Sequence, residues 1–342
     1  MSKILFIHHY NNYSGSTRVL CNVIREEYGD SVNNRIITDM SSKGFLSDLN
    51  TPKSNVPILR VKGRAIPFVS QFIWSLIGFV KIIWLGRKYD VFYINTIVPA
   101  YAAVAGRIMG KKIIYHIHET LDFKRVQNKI AKYIFCHTKG EIIYVSEYVA
   151  SYYDSLNKPY KIVYNKLSKE FVSNIVIKPL NEHHLNTVII ISSLLESKGL
   201  YMFRDLAKKM QDLKFVLIAG ANEKQIDVFF KSDIPVNMFA YPTQKNIHPF
   251  LRDADLLLNL SIPSLVVETF GMTIIEGMSY GLPAIVPNVG GPIEIVSNGY
   301  NGYCVDVTNI DEMVYYIRKC LTSQKYCKLR ENALAKSRLF MY

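Results

Sequence analysis

The sequence predicts an α/β protein made of two doubly wound domains, each built on a parallel sheet. Short β-branched runs recur along the chain with helical stretches between them, and continuous apolar strands of this kind are typical of buried parallel sheets. Ten such runs fit two domains better than one. The polar stretch 166–186 interrupts the alternation. It therefore predicts a first domain at 1–167, a linker at 168–186 and a second domain at 187–342.

The predicted strands divide evenly between the two halves of the chain. In the first half they lie at 4–7, 91–94, 113–117, 142–145 and 162–163. In the second half they lie at 188–191, 215–219, 236–239, 256–260 and 284–286. Ligands of parallel α/β sheets bind beyond the carboxyl ends of the strands. The polar residues that follow these runs are therefore the candidates for a site.

The composition allows sizeable cores and indicates a reducing compartment. The chain has 342 residues, of which 49% are apolar, enough for two domains of ordinary size. Its five cysteines show neither C-x-x-C pairing nor metal-ligand spacing, a pattern typical of a reducing compartment. The apolar run at 4–7 is too short for a signal peptide. These observations predict a cytoplasmic protein.

The positive charge is confined to one half of the chain. The net charge is +13, and residues 1–170 carry 24 Lys and Arg against 12 Asp and Glu, whereas residues 171–342 carry 17 against 16. A solvated basic surface is the simplest interpretation. Confinement to one half favours an anionic partner instead. Neither zinc-finger spacing nor an RNP-type motif is present, which speaks against nucleic acid.

One apolar segment, at 66–86, directs attention to membranes. It contains both tryptophans of the protein, is interrupted by Gln71 and Lys81, and has basic residues on both sides. Three interpretations stay open. The segment is a transmembrane helix, an ordinary buried helix of an α/β domain, or a helix that also presents an apolar, Trp-bearing edge to anionic lipid.

The most informative stretch contains Glu268 and Glu276, separated by seven residues across Gly271. An apolar run of strand length precedes it and Gly281 follows, which indicates a strand–loop–helix junction. On one helix the two carboxylates would be about 12 Å and about 80° apart, so we expect Glu268 in the loop and Glu276 on the helix. Gly271 would then lie near the helix start, where free N–H groups attract anions. A phosphate on those amides, with a hydroxyl on each carboxylate, predicts a sugar-nucleotide site.

Two loops of the first half carry candidate residues, each with a structural alternative. Gly15, next to Ser16, can let the backbone approach a ligand or can simply form a turn. Strand alternation sends His116 and His118 to the same face, with His118 at the carboxyl end of the strand. A histidine there is a site residue or a structural one. The His118-Glu119 pair is too sparse for a metal site, which needs three or four ligands.

Two loops of the second half are glycine-containing strand-to-helix connections. Lys198 and Gly199 precede a predicted helix, which places a cation beside free amides or an exposed lysine before a flexible residue. Gly290 and Gly291 precede Pro292, a residue suited to a first helical position. These glycines permit close approach of a ligand or a tight turn.

Taken together, these residues resemble the retaining glycosyltransferases of family 4, which have the GT-B fold. The match is close over 236–307, where five motifs stand in the family's order and spacing: Leu260-Ser261, Glu268-x7-Glu276, the run 277–283, the run 290–294 and Asn301-Gly302. In the first half it is looser and comprises Ser14-Gly15, His118-Glu119, Val145-Ser146-Glu147 and Tyr164-Asn165. The resemblance implies two doubly wound Rossmann-like domains facing a central cleft, the first binding an acceptor and the second a nucleotide sugar.

The resemblance implies two catalytic residues. Glu268 would hold sugar hydroxyls near the anomeric carbon, and His118 would contact the transferred sugar from the opposite domain. In the mechanism proposed for the family, the acceptor attacks on the face of the leaving group. A phosphate oxygen takes the proton, and the anomeric configuration is retained.

The resemblance also implies a donor site for a UDP- or GDP-type nucleotide sugar that needs no metal or other cofactor. Lys198 would neutralise the diphosphate, and Glu276 would bind the ribose hydroxyls. The helix dipole and Lys198 would stabilise the departing phosphate, in agreement with the lack of a D-x-D pair suited to a divalent ion. The other donor-binding positions are the backbone amides of Phe270, Gly271, Met272 and Thr273, together with Gly15 and Ser16.

The chain departs from the family pattern in two places. The family usually has Gly-Arg where this chain has Ser192-Ser193, and loss of one of two cations would weaken donor binding by about 1.5–3 kcal/mol. Relatives usually continue into a helix that crosses back to the first domain, whereas this sequence stops at Tyr342. The second departure predicts a truncated chain or a loose interdomain closure.

The sequence thus predicts a cytoplasmic enzyme, peripheral at the inner face of the cell membrane. It would transfer a sugar to a lipid-linked or polysaccharide-precursor acceptor in bacterial surface-glycan assembly (capsule, O-antigen or exopolysaccharide), with its basic first domain on anionic lipid. Three alternatives stay open: a GT-B sugar-nucleotide epimerase, a non-catalytic nucleotide-sugar-binding module and, most weakly, a basic nucleic-acid binder.

Overall fold

The computed structural model divides the chain into two compact units, Met1–Tyr164 and Asn165–Tyr342. It describes residues 2–39, 43–56, 60–61, 64–65, 67–121, 126–154, 157–182 and 184–342. Within these ranges, the side chains at 60–61, 64–65, 67–72, 74 and 126–127 are not described. Each unit has its own parallel sheet with helices in the connections, so the predicted α/β class with two doubly wound domains is confirmed.

The first unit contains a sheet of seven parallel strands in the order β3-β2-β1-β6-β7-β8-β9. These strands are β1 Ile4–Tyr10, β2 Arg35–Asp39, β3 Lys53–Asn55, β6 Val91–Asn95, β7 Lys112–Ile117, β8 Glu141–Tyr144 and β9 Lys161–Ile162. A separate antiparallel pair is formed by β4 Arg60–Val61 and β5 Arg64–Ala65. The central strands are buried along most of their length, which is why they read as continuous apolar runs.

The helices of the first unit are α1 Gly15–Val23, α2 Pro67–Leu85, α3 Tyr101–Ile108, α4 Val126–His137 and α5 Glu147–Tyr153. The Ser146 hydroxyl caps α5 by accepting from the Val149 amide at 3.2 Å, because a helix start needs an acceptor for its free N–H groups. Residues 67–85 of the apolar segment that contains both tryptophans form α2, and residue 66 lies outside the described residues. None of the helices in the described part of the chain combines the length and apolarity needed to cross a bilayer.

The second unit contains six parallel strands in the order β12-β11-β10-β13-β14-β15. They are β10 Thr187–Ser192, β11 Lys214–Ala219, β12 Met238–Tyr241, β13 Leu256–Leu258, β14 Ala284–Pro287 and β15 Gly302–Val305. The helices are α6 Lys169–Ser173, α7 Leu200–Lys209, α8 Glu223–Phe230, α9 His248–Asp253, α10 Met272–Met278, α11 Pro292–Ile295, α12 Ile310–Cys320 and α13 Ser323–Ser337. One core cluster of the unit consists of buried side chains from the strands, α7, α8, α12 and α13.

Residues 168–186, predicted as a linker, lie in the second unit. They contain α6, whose Phe171 is buried, and a 3-10 turn at Leu180–Glu182. The Arg330 guanidinium donates a 2.6 Å hydrogen bond to the Lys178 carbonyl oxygen. The described residues of the polar stretch that suggested a linker therefore pack along the surface of the second unit.

Each sheet has one point where the chain reverses its direction of travel across the strands. In the first unit the strands run outward from β1 to β3 and then return to β6. In the second unit they run outward from β10 to β12 and then return to β13. The loops after β1 and β6, and those after β10 and β13, consequently diverge and leave a crevice at the carboxyl edge, where ligands of doubly wound sheets bind.

Close backbone packing fixes the loops around the second crevice, and substitution of Gly291 by Ala tests it. A Cβ atom at 291 would lie 2.2 Å from the Thr269 carbonyl oxygen and 2.6 Å from the Phe270 Cα atom, so main chain must move. We expect the free energy of unfolding of the second unit to fall by about 1–3 kcal/mol, as for other overpacked sites. Urea unfolding followed by circular dichroism measures the change.

Gly220→Ala is the matched control in the same unit. Its Cβ atom would meet the Ser193 Cα atom at 3.4 Å, an ordinary van der Waals distance. We expect no comparable loss in this variant. Equal unfolding free energies for Gly291→Ala and the unmodified protein would contradict the close packing.

Candidate functional site

Three side chains of the second unit meet at its crevice: Lys198, Ser261 and Glu268. The Lys198 Nζ atom lies 2.6 Å from the Glu268 Oε2 atom, and it donates to the Ser261 hydroxyl at 3.3 Å. The Ser261 hydroxyl also donates to Glu268 Oε2 at 3.3 Å. About a fifth of each charged side chain is exposed, 21% for Lys198 and 24% for Glu268. The ion pair is thus accessible to a ligand while being partly shielded from solvent.

The Lys198 loop reaches this position because Gly199 lets two stretches of main chain touch. Gly199 has φ +67°, and a Cβ atom on it would lie 2.2 Å from the Leu260 carbonyl oxygen. The Ile262 amide donates to the Ser197 carbonyl oxygen at 2.9 Å, which ties the loop after β13 to the loop after β10. The sequence is compatible with either a ligand contact or a flexible residue at Gly199. In the structure this glycine allows two stretches of main chain to pack closely.

The Glu268 loop is supported on its other side by Gly290 and Gly291. A Cβ atom on Gly290 would lie 2.4 Å from the Glu268 carbonyl oxygen. The Gly291 amide donates to that same oxygen at 2.8 Å. The two glycines therefore hold the main chain at 268–269 in place, which fixes where the Glu268 side chain starts.

Glu268 lies in the loop and Glu276 lies on α10, the arrangement that the spacing predicts. Glu276 has no exposed surface. The next residue, Gly277, allows α10 to pack closely on the strand before it, because a Cβ atom there would lie 2.6 Å from Leu257 Cδ1. The assignment of Glu276 to ribose hydroxyls stays a prediction.

The four predicted backbone contacts, at 270–273, span the start of α10. Gly271 precedes the helix with φ +114°, a conformation that favours glycine. Met272 and Thr273 form its first turn and are partly exposed, and the first N–H groups of a helix lack intrahelical acceptors. The Phe270 side chain is buried, with its ring 5.9 Å from that of Phe340. Its side chain is thus part of the core, which leaves its backbone as the predicted contact.

Ser193 occupies the position where the resemblance leads us to expect a second cation. It follows β10 directly and is exposed. The adjacent Ser192 hydroxyl donates to the Ser193 carbonyl oxygen at 3.1 Å. The cation in contact with Glu268 is thus Lys198, which makes this lysine the central residue of the candidate donor site.

A polar network runs across the crevice of the first unit and includes His118. The Asn95 amide nitrogen lies 3.0 Å from His8 Nδ1, and it donates to the Ser16 carbonyl oxygen at 3.2 Å. Because a carbonyl oxygen only accepts, this contact fixes the orientation of the amide. The Asn95 Oδ1 atom then accepts from His118 Nε2, 2.9 Å away. Neutral His118 therefore carries its proton on Nε2 and keeps an unprotonated Nδ1.

The network continues from His8 to the loop after β1. The His8 Nδ1 atom also lies 3.2 Å from the Asn95 carbonyl oxygen, and its Nε2 atom lies 3.0 Å from the Thr17 hydroxyl. That hydroxyl donates to Asn12 Oδ1 at 2.8 Å, and the Ser14 hydroxyl donates to the same oxygen at 2.6 Å. The loop that carries Gly15 and Ser16 is thus connected to His118 through side chains. A Cβ atom on Gly15 would meet no atom of the described residues within 4 Å, so among these residues open space lies in front of it.

Four histidines of this crevice are buried, and burial lowers the pKa of each. The pKa of His8 falls to about 4 and those of His9 and His116 to about 3. The pKa of His118 lies well below its usual value, chiefly through burial and secondarily through repulsion from His116 and His8. The His116 and His118 rings lie 4.2 Å apart, which neutral imidazoles tolerate. His118 is therefore a neutral hydrogen-bonding group at physiological pH.

Glu119 has the opposite shift, because burial raises the pKa of its carboxyl group to about 7. Its Oε1 atom accepts from the Ile97 amide at 2.8 Å. This bond holds the chain just after Thr96, which has φ +77°, a conformation that is costly for a β-branched residue. Glu119 thus stabilises the strained end of β6 beside Asn95.

The sequence predictions assign no role to three residues that make contacts in the two crevices: Asn95, Glu119 and Ser261. Asn95 is fully buried and directly follows the apolar run of β6, and a polar residue at a strand end is the signal that would have found it. Within the residues that the structure describes, no group of three or more His, Cys, Asp or Glu side chains comes together as a metal site.

The buried histidines predict a pH dependence of stability in the first unit. Between pH 6.5 and about 4 an unfolded chain binds a proton on each of four histidines that the folded chain does not bind, so stability falls as pH falls. Glu119 acts oppositely, because its folded pKa of about 7 exceeds the usual value of 4.5. We expect the free energy of unfolding to decrease from pH 7 to pH 5, with uptake of about three protons.

Urea unfolding at a series of pH values gives this proton uptake from the slope. His116→Gln should reduce the uptake by about one proton. A free energy of unfolding that stays constant from pH 7 to pH 5 would contradict the neutral, buried state of these residues.

Known proteins match both the second unit and the whole fold. Residues 174–338 match the sequence model of the family described as Glycosyl transferases group 1. An uncharacterized glycosyltransferase from Methanocaldococcus jannaschii is 28% identical over 207 residues, an alignment that covers 59% of this chain and 56% of that relative. The chain therefore aligns with little more than half the length of this relative.

Two solved structures share the fold of the entire chain. HepE from Anabaena, in complex with UDP-glucose, has a TM-score of 0.79 at 19% identity, covering 100% of this chain and 96% of its own. The lipopolysaccharide outer core galactosyltransferase WaaB has a TM-score of 0.71 at 18% identity, covering 99% of this chain and 95% of its own. The chain thus has the fold of the GT-B glycosyltransferases, and residues 174–338 are similar to the glycosyl transferases group 1 family.

Proposed function

We propose that the chain is a retaining glycosyltransferase that transfers a sugar from a nucleotide-sugar donor to a hydroxyl acceptor. The observation that carries this proposal is the contact of Lys198, Ser261 and Glu268 at the crevice of the second unit. A cation suited to a diphosphate and a carboxylate suited to sugar hydroxyls lie side by side there. Glu276, on the helix that directly follows the Glu268 loop, is assigned to the ribose by the resemblance.

The ion pair between Lys198 and Glu268 gives the donor a defined way to bind. The two groups are 2.6 Å apart, so each limits the position of the other before a ligand arrives. A diphosphate offers Lys198 a second anionic partner, and its approach draws the amino group away from Glu268. The carboxylate is then free to accept from sugar hydroxyls, while Lys198 stabilises the charge that develops on the leaving group.

The proposed reaction exchanges one bond at the anomeric carbon. The bond from that carbon to the diphosphate oxygen breaks, and a bond to the acceptor oxygen forms on the same face. The acceptor proton passes to the departing phosphate oxygen, so the nucleoside diphosphate leaves as the conjugate acid and configuration is retained. No metal takes part in this scheme, because Lys198 and the amides at 270–273 stabilise the phosphate charge. His118 stays assigned to the transferred sugar as a neutral hydrogen-bonding group.

UDP is the nucleoside diphosphate of the donor to test first, with GDP second, because a structural neighbour of this chain binds UDP-glucose. For the acceptor we propose a lipid-linked or polysaccharide-precursor glycan of a bacterial surface polymer, with the enzyme peripheral at the inner face of the membrane. Two observations support this choice. The first unit is basic, and a structural neighbour is a lipopolysaccharide galactosyltransferase.

Lys198→Met tests the donor site. UDP should raise the melting temperature of the unmodified protein through ligand linkage. Loss of the cation should weaken UDP binding by about 10–100-fold, the scale of a charged hydrogen bond, so the shift should largely disappear. Differential scanning fluorimetry and calorimetric titration measure both quantities. Lys224→Met, at an exposed lysine of α8, is the control that should bind UDP normally.

The donor-site assignment fails if neither UDP nor GDP shifts the melting temperature of the unmodified protein. It also fails if Lys198→Met and Lys224→Met bind UDP equally well. Either result would leave the ion pair as a purely structural contact.

Glu268→Gln separates binding from catalysis. The amide keeps the shape of the side chain but lacks the charge, and the substitution releases Lys198 from its ion pair. We expect UDP binding to be unchanged or tighter, while turnover falls by about 100-fold, the scale of a lost electrostatic contact to the transition state. Glu223→Gln on α8 is the exposed control. Equal losses in UDP affinity and turnover would remove Glu268 from the catalytic role.

A donor panel scored by nucleotide release, with and without membrane extract, distinguishes the alternative functions. The proposal predicts release that depends on added acceptor. A changed sugar nucleotide without any acceptor would indicate an epimerase. Donor binding without turnover under any condition would indicate a non-catalytic module.

A further inference from the structure

The longest helix of the first unit, α2, has two opposite sides of different character. Its inner side is buried at Gly78 and Ile82, and a Cβ atom on Gly78 would lie 2.5 Å from the Tyr101 hydroxyl oxygen of α3. On the outer side the exposed fractions are 56% for Leu76, 61% for Val80 and 75% for Trp84. One side of this almost entirely apolar helix therefore packs against the protein interior, and the other side is exposed to solvent.

The exposed apolar side chains form a continuous strip. Leu76, Ile77, Val80 and Trp84 project within about 100° of arc over about 12 Å of helix length. Together with Lys81 they line one shallow groove. Exposed apolar side chains scattered singly are normal on soluble proteins, whereas a contiguous strip marks an interaction site.

The stretch of sequence that includes this strip is basic. Residues 53–88 contain seven Lys and Arg and no Asp or Glu. Arg87 and Lys88 are exposed and follow Trp84 by one turn. The Lys111 amino group donates to the Arg87 carbonyl oxygen at 3.2 Å, which adds a third cation at this end. Apolar insertion and positive charge thus occur on the same surface.

We propose that the outer side of α2 is a docking surface for an anionic lipid bilayer. The helix lies in the plane of the interface, with Leu76, Val80 and Trp84 entering the boundary between headgroups and acyl chains. Arg87, Lys88 and Lys111 contact lipid phosphates. Tryptophan favours this interfacial region, and each basic residue near an anionic surface adds attraction. The inference rests on the proposed function for its peripheral location and adds the residues that produce it.

The direction of α2 relative to the sheet locates the docking strip within the first unit. A helix that connects parallel strands runs antiparallel to them, so α2 begins at the carboxyl edge of the sheet and ends beside the start of β6. That carboxyl edge carries His118, Asn95 and the loop of Gly15. Leu76, Val80 and Trp84 lie in the half of α2 nearer the opposite, amino edge, so docking brings the first unit as a whole to the lipid surface.

Flotation with lipid vesicles tests the surface directly. The full chain is mixed with vesicles of phosphatidylcholine, with or without about 30% phosphatidylglycerol, at low and high salt. We expect binding to the anionic vesicles that weakens as salt screens the charges. The triple variant Leu76→Ser, Val80→Ser, Trp84→Ser and the double variant Arg87→Glu, Lys88→Glu should each lower the bound fraction by about tenfold or more.

Matched controls remove the same chemistry from exposed positions of the second unit. Val228→Ser with Val236→Ser removes exposed apolar side chains, and Lys224→Glu with Lys328→Glu reverses exposed charges. Both should float like the unmodified protein. A single-tryptophan form, made by Trp74→Phe, should shift its emission to shorter wavelength with anionic vesicles, because Trp84 leaves water.

Failure of this inference is distinguishable from failure of the proposed function. UDP stabilisation is measured on every variant and reports the donor site and folding independently of lipid. Equal flotation of the triple variant and its control would overturn the docking surface, even with UDP binding intact. So would equal binding to neutral and anionic vesicles. A dimer of the unmodified chain that the triple variant dissociates, seen by light scattering, would reassign the strip to a second copy.

Discussion

The candidate donor site depends on main-chain contacts that only glycine permits. Gly199 lets the loop after β10 rest on Leu260, and Gly291 lets the loop after β14 rest on residues 269–270. Between these two contacts the loop that carries Glu268 is held from both sides. Lys198 and Glu268 therefore meet because backbone contacts fix the positions of their loops. The ion pair does not depend on an apolar cluster to position the two side chains. The geometry of the site is thus set by glycines, which have no side chain that could contact a ligand.

The crevice of the first unit is stabilised differently, through buried polar side chains. Asn95 links a histidine on β1 to a histidine after β7, and Glu119 holds the strained backbone between them. Such a network is stable only when every member has a partner, since an unpaired polar group in a low-dielectric interior is costly. Neutral imidazoles fit this demand because each ring offers one donor and one acceptor.

Much of the fold could be predicted from the sequence, whereas the contacts of the sites could not. Each of the ten predicted runs overlaps a strand, but β2, β3, β4, β5 and β15 were missed, because they are short or begin with polar residues or glycine. The placement of Glu268 and Glu276 followed from helix geometry and a glycine stop. The roles of Gly199 and Gly291 as packing residues did not, since a sequence cannot tell a ligand from a neighbouring backbone. Asn95 escaped because its importance lies in two partners 87 and 23 residues away.

The bridging amide of Asn95 also constrains how this protein can change over time. One side chain places a donor beside His8 and the Ser16 carbonyl oxygen and an acceptor beside His118, and no other residue of that shape does both. Aspartate would lose the donor, and leucine would lose both groups. A change at position 95 therefore requires compensating changes of ring tautomer or residue type at positions 8 and 118. These three positions should vary together among close homologues, although they lie far apart along the chain.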